Sequence, residues 1–124
     1  ESKVVFLGQI HFDKLFNFTC SADLGLSFED DTCLAYRYAL PNKIFDYINA
    51  EIPVLVSDLP EYRHVINKYN VGCVLKSRKP KFVAQQINKM LLKSKKDWSS
   101  QLTLAKNNYC WQNEKSKLLS FFTE

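Results

Sequence analysis

Apolar positions follow two rhythms along this chain, and the switches between them divide it into elements. Val4-Val5-Phe6-Leu7 is a continuous apolar run closed by Gly8. β-Branched and aromatic residues bounded by glycine predict a buried strand. Phe12, Leu15, Phe16 and Thr19 then recur at the spacing of one helix face. Asp13 stands where it can cap or charge the start of that helix. Asp23 to Phe28 reads as a second strand. Glu29 to Leu40 has no period, is rich in acids and tyrosines, and is expected to be a loop.

Asn42 is the expected N-cap of a helix carrying Ile44, Phe45 and Ile48, with Lys43 as its first helical residue. The helix should stop near Glu51, because Pro53 disfavours helical geometry at Ile52. Pro53-Val54-Leu55-Val56-Ser57 predicts a third strand. Asp58 is expected to cap the next helix, with Pro60 in its first turn and Glu61 in capping-box register. That helix presents Val65, Ile66 and Tyr69, and Gly72 to Leu75 reads as a fourth strand. Pro80 opens a long helix with Val83, Ile87, Met90 and Leu91 on one side. Trp98, Leu102, Ala105 and Tyr109, then Trp111, Leu118, Leu119 and Phe122, continue the helical period as core or domain-contact faces.

Strands alternating with helices predict right-handed βαβ crossovers on a parallel sheet. The expected fold class is α/β: a Rossmann-like parallel sheet with helices on both faces. One domain is expected over residues 1–124, with C-terminal helices over about 80–123, since no linker or repeat divides the chain.

Composition changes this picture little. With 124 residues and 46% apolar side chains, the chain can bury a core without staples. No apolar run reaches the ~18 residues needed to cross a bilayer. The first twenty residues lack a basic end followed by a long apolar core, so no signal peptide is expected. The chain opens Glu-Ser-Lys straight into an apolar run, as a piece of a longer protein would. Cys20, Cys33, Cys73 and Cys110 form no C-x-x-C pair and have no histidine at metal-ligand spacing. They are expected to be ordinary, partly buried thiols in a reducing cytosol, with no metal bound.

The net charge of +4 is unevenly spread. Acids crowd the first half, whereas Lys76, Arg78, Lys79, Lys81, Lys89, Lys93, Lys95 and Lys96 form a stretch without them. A solvated helix face explains such a stretch most simply. Its functional counterpart is contact with an anionic membrane surface, and no nucleic-acid partner is expected.

Ligands of open α/β sheets bind beyond the carboxyl ends of the strands. The predicted strands carry Gly8 and Gln9, Ser27 to Asp30, and Ser57 and Asp58 at those ends. The helix at Asn42 opens on the same side, and its amide groups and positive dipole end make an anion site. Lys43 adds a mobile positive charge, and a diphosphate suits the spot. Asp46, one turn further in, can accept hydrogen bonds from sugar hydroxyls. Dinucleotide and P-loop signatures are absent, as is G-x-S-x-G. Of the two histidines, His64 reads as a surface residue within a helix, and His11 falls near the proposed site.

Three blocks carry a family resemblance. They are Ala22-Asp23-Leu24-Gly25-Leu26-Ser27, Leu40-Pro41-Asn42-Lys43-Ile44-Phe45-Asp46-Tyr47, and Ile52-Pro53-Val54-Leu55-Val56-Ser57-Asp58-Leu59-Pro60-Glu61. With the opening Val-Val-Phe-Leu-Gly and the tail Tyr109-Cys110-Trp111, they resemble the C-terminal domain of bacterial family 4 glycosyltransferases, the glycogen-synthase-like retaining enzymes of the GT-B fold. The resemblance implies transfer of a sugar from a nucleotide-sugar, such as a UDP- or GDP-sugar, to an acceptor hydroxyl with retention and without a metal or other cofactor. It implies that this part holds the nucleotide and that an absent N-terminal domain takes the acceptor, a sugar or lipid-linked saccharide. Cell-surface polysaccharide or glycolipid synthesis in the cytoplasm, peripheral to the inner membrane face, is the implied setting.

By the same resemblance, Asp46 matches the acid on the ribose hydroxyls, Asn42 and Lys43 lie at the diphosphate, Ser27 to Glu29 approach the donor sugar, and Gly8 lies under the nucleotide. The chain departs from the family at two positions. Tyr38 stands where a first acid is usual, which makes Glu29 or Asp30 the candidate catalytic substitute. Glu51 stands where glycine is usual, at a cost of about 1 kcal/mol if positive φ is required there. The competing readings are a nucleotide-sugar epimerase of the same fold and a non-catalytic α/β interaction domain. On the family reading, this part alone is not expected to catalyse transfer.

Overall fold

The computed structural model describes residues 3–122. Its elements are α1 (Phe12–Ser21), β1 (Gly25–Ser27), α2 (Leu34–Arg37), α3 (Asn42–Asn49), β2 (Val54–Ser57), α4 (Pro60–Tyr69), β3 (Gly72–Leu75), α5 (Pro80–Leu91), α6 (Lys95–Asn108) and α7 (Trp111–Ser120). Among the described residues the sheet has three strands, all parallel, in the order β1-β2-β3. The fold is α/β, with α3 crossing from β1 to β2 and α4 from β2 to β3.

Central β2 is buried at all four positions. Alternate residues of a strand point to opposite faces, so both faces of β2 are covered and its sequence is correspondingly apolar throughout. Register pairs Gly25 with Val54 and Ser27 with Val56. On this face the ring of Tyr47 from α3 lies so close to Gly25 that a Cβ there would sit 2.5 Å from it. The α4 phenol of Tyr62 meets Ser27 on the same face. Leu26 points to the opposite face and is 40% exposed. Ile44, Ile48, Val54, Leu59, Tyr62 and Val65 anchor a single buried cluster, to which α6 adds Trp98, Leu102 and Ala105. Tyr109 ties this cluster together edge-on, its ring 5.1 Å from Phe45 and 5.2 Å from Tyr69.

Four expectations require correction. Val4–Leu7 stands outside the sheet, and Phe6 is 93% exposed. An apolar run marks a segment able to become a strand, but a parallel strand also needs an edge to pair with and cover on both faces. The segment expected to be loop contains α2, whose Arg37 forks onto Asp31 at 2.8 and 3.0 Å. Pro41, not Asn42, occupies the N-cap of α3, its carbonyl accepting the Ile44 amide at 3.3 Å. Proline needs no amide donor of its own and already has the extended geometry of a cap. Likewise, Leu59 is the N-cap of α4, and Asp58 accepts from Arg63 at 2.9 Å instead of capping. A capping box forms elsewhere, at the start of α6, where the Asp97 carboxylate accepts the Ser94 amide at 2.7 Å.

The thiols also differ from expectation. Cys20 and Cys33 are exposed, and Cys73 and Cys110 half-buried, all four free. The stripe of α7 has no buried residue, and Trp111, Leu118 and Leu119 are exposed. By contrast, the stripes of α4, α5 and α6 do supply buried residues. No helix among the described residues is long and apolar enough to cross a membrane.

α3 ends as the proline argument requires, and Glu51 follows it at φ 58, in the left-handed region. Its carboxylate accepts from Lys106 at 3.1 Å, an exposed pair of small worth. Glu51→Gly should therefore stabilise the fold by about 0.5–1 kcal/mol, because relief of backbone strain exceeds the lost pair and the added chain entropy. A urea midpoint unchanged or lowered in the variant would contradict this.

Candidate functional site

The carboxyl ends of the three strands meet at one rim. β1 delivers Ser27 and the acidic turn Glu29-Asp30-Asp31, β2 delivers Ser57 and Asp58, and β3 delivers Lys76, Ser77 and Arg78. A cleft of about 200 Å³ opens between them, lined by Glu29, Asp31, Ser57, Asp58, Ser77 and Arg78 among others.

Two tyrosines fix the rim from below. Tyr62 hydrogen-bonds Ser27 at 2.6 Å between two fully buried side chains, locking the end of β1 onto α4. Tyr47 donates its hydroxyl to the Leu26 carbonyl at 3.2 Å, holding α3 against β1. α3 thus starts beside the acidic turn, and the Lys43 ammonium reaches the Glu29 carboxylate at 2.9 Å. That carboxylate raises the Lys43 pKa above the ordinary lysine value against an opposing loss of solvent. Burial pushes the Tyr62 phenol up as well, partly offset by its hydrogen bond with Ser27.

Arg78 closes the rim from the other side. Its guanidinium donates to the Asp30 carboxylate, to the Glu29 carbonyl, and to Ser57 Oγ at 2.9 Å. Asp31 is held by Arg37, whose hydrogen bonds lower its pKa, and Asp58 by Arg63. The rim therefore carries four acids, Glu29, Asp30, Asp31 and Asp58, each matched to a cation.

The six site residues expected from sequence are not all gathered here. Glu29 and Lys43 touch, and Ser27 lies directly beneath with its hydroxyl engaged by Tyr62. Asn42 lines a separate, wider cleft of about 600 Å³ with Phe45, Asn49, Tyr109, Trp111 and Glu114. Asp46 is exposed and lines a third hollow, mostly apolar, with Phe12, Leu15, Phe16 and Thr19 of α1. Gly8 has φ 67 with open space around it. Because Val4–Leu7 is not a strand, Gly8 does not end one at the rim. His11 precedes α1 and lies 3.1 Å from Asp13, and His64 is exposed on α4.

Ser57 was expected at a strand's carboxyl end, but Arg78 and Tyr62 were not singled out by sequence reasoning. Arg78 was hidden in a basic stretch, although its place just after β3 put it at a strand's carboxyl end. Among the described residues no group of three or more His, Cys, Asp or Glu could hold a metal ion. No family profile, curated protein or solved structure matches the chain.

The hydroxyl pair under the rim is testable. Tyr62→Phe leaves the buried Ser27 hydroxyl without its partner and should cost about 1–2 kcal/mol of stability, measured by urea unfolding. Both Tyr62 and Lys43 hold their protons more tightly folded than unfolded. The stability they contribute is complete below their ordinary values, about 10, and is lost as pH climbs through the raised ones. Unfolding midpoints should fall above about pH 10, and Tyr62→Phe should flatten part of that fall; parallel profiles for the two proteins would refute the assignment.

Proposed function

We propose that this chain is the nucleotide-sugar-binding part of a retaining glycosyltransferase of the glycogen-synthase-like type. The observation that carries the reading is the meeting of Lys43 with the turn after β1 at the carboxyl end of a parallel sheet. The first amides of a helix lack partners within it, and its dipole is positive there. The backbone of Asn42 and Lys43 at the start of α3, with the Lys43 ammonium beside it, has the composition of a diphosphate site.

Breaking a glycosidic bond to a nucleoside diphosphate gathers negative charge on the leaving oxygens. Fixed N–H groups and an adjacent cation stabilise that charge in advance, usually the largest electrostatic contribution to such chemistry. In this proposal the Lys43 ammonium and the α3 amides take the diphosphate and Asp46 takes the ribose hydroxyls. Glu29, beside Lys43, is the acid available at the donor sugar. The donor is a UDP- or GDP-sugar, and the acceptor, a sugar or lipid-linked saccharide, is brought by a second domain.

A second reading, a non-catalytic α/β interaction domain, is favoured by one observation. Val4, Val5, Phe6, Leu7 and Phe12 form an apolar segment that is more than half exposed throughout, and patches of that kind mark protein contacts.

Calorimetric titration with UDP and GDP separates the readings. Saturable binding of at least one nucleotide, weakened about tenfold by Lys43→Ala as expected for loss of a charged hydrogen bond, supports the donor site. Equal affinity of parent and variant sinks it, and no binding of either nucleotide leaves the interaction domain.

A further inference from the structure

We propose that Glu29 and Asp30 act as an internal stand-in for the diphosphate, engaging Lys43 and Arg78 and giving both cations up when the ligand enters. The inference rests on the diphosphate reading and adds to it a second cation, Arg78, and a resting state in which the site is closed by its own loop.

The geometry is specific. Glu29 lies between the two cations, its carboxylate on Lys43 and its carbonyl on the Arg78 guanidinium. Lys43 and Arg78 are therefore separated by the span of one residue, the scale on which two linked phosphoryl groups can touch both. Asp30 supplies the negative charge on Arg78. One short turn thus places a carboxylate on each cation, as a diphosphate would place a phosphoryl group on each.

The contacts differ in how readily they open. The Asp30–Arg78 pair is exposed, and the Lys43 side chain is about half exposed. Exposed ion pairs contribute little to stability, so a ligand carrying more charge than one carboxylate displaces the Asp30 contact readily, and the Glu29 contact, whose carboxylate is 27% exposed, less so. Arg78 would not leave with its acid, because Ser57 Oγ at 2.9 Å still accepts from it. The turn would not unravel either, because Arg37 holds Asp31 by two hydrogen bonds of 2.8 and 3.0 Å. Cation and loop are each anchored by a group that the exchange does not use.

A purely structural staple predicts the opposite sign. If Asp30–Arg78 only shaped the site, removing the acid would loosen the turn and weaken binding. If the acid competes with the ligand, removing it strengthens binding. The experiment is titration of inorganic pyrophosphate and UDP into the parent chain, Asp30→Asn, Glu29→Gln, Arg78→Ala and Lys43→Ala, with urea unfolding of each.

Asp30→Asn is expected to bind pyrophosphate about threefold to tenfold more tightly than the parent, and Glu29→Gln to shift the same way through Lys43. Arg78→Ala should weaken binding. Affinity in Asp30→Asn and Glu29→Gln equal to or below the parent's overturns the stand-in. If Lys43→Ala still weakens binding in that case, the diphosphate site itself stands. If neither the parent nor any folded variant binds pyrophosphate or UDP at millimolar concentration, both proposals fall together.

Discussion

Parallel pairing is the constraint on which the candidate site depends. Three strands running in one direction must place all their carboxyl ends at one edge, whatever their lengths. That is why an acidic turn, a serine and an arginine from three separate parts of the sequence share a single cleft. Parallel strands need a crossover between them, so α3 and α4 are consequences of the same rule. The start of α3 is delivered to the rim by the return journey from β1 to β2.

Within that frame the side chains divide the labour by burial. The face shared by Gly25, Ser27, Val54 and Val56 is dry, and there the tolerances are small: no Cβ fits at Gly25, and Ser27 has one partner for its hydroxyl. The rim above it is wet and built from ion pairs, each weak and separately replaceable. A rigid floor under an adjustable rim is a workable arrangement for binding a highly charged ligand. The floor fixes the strand and helix from which Glu29 and Lys43 reach each other.

Sequence reasoning read the floor better than the rim, for physical reasons. Val54 to Ser57, and the stripes of α4 and α6, are buried, and burial imposes a period that survives in the sequence. The start of α3 was missed by one residue because Pro41 and Asn42 both suit a helix entrance, and only the geometry of the preceding chain selects between them. Val4 to Leu7 was misread because an apolar run records what a segment could bury, not what lies beside it. The pairings at the rim left no period at all: Arg78 finds Asp30 and Ser57 through tertiary structure alone. Glu51 was legible in a different way, since the family resemblance puts glycine at that position, and its φ is 58.

The position of β1 has a consequence for how the chain behaves on its own. Among the described residues this strand has β2 on one side only, with Leu26 half-uncovered on one face and the apolar α1 immediately before it in the chain. An outer strand is where a sheet can grow, but this one has only three residues and its middle carbonyl already accepts from Tyr47. What protects the margin is thus brevity and one phenol, and a change that removed the Tyr47 hydroxyl would uncover the Leu26 carbonyl there.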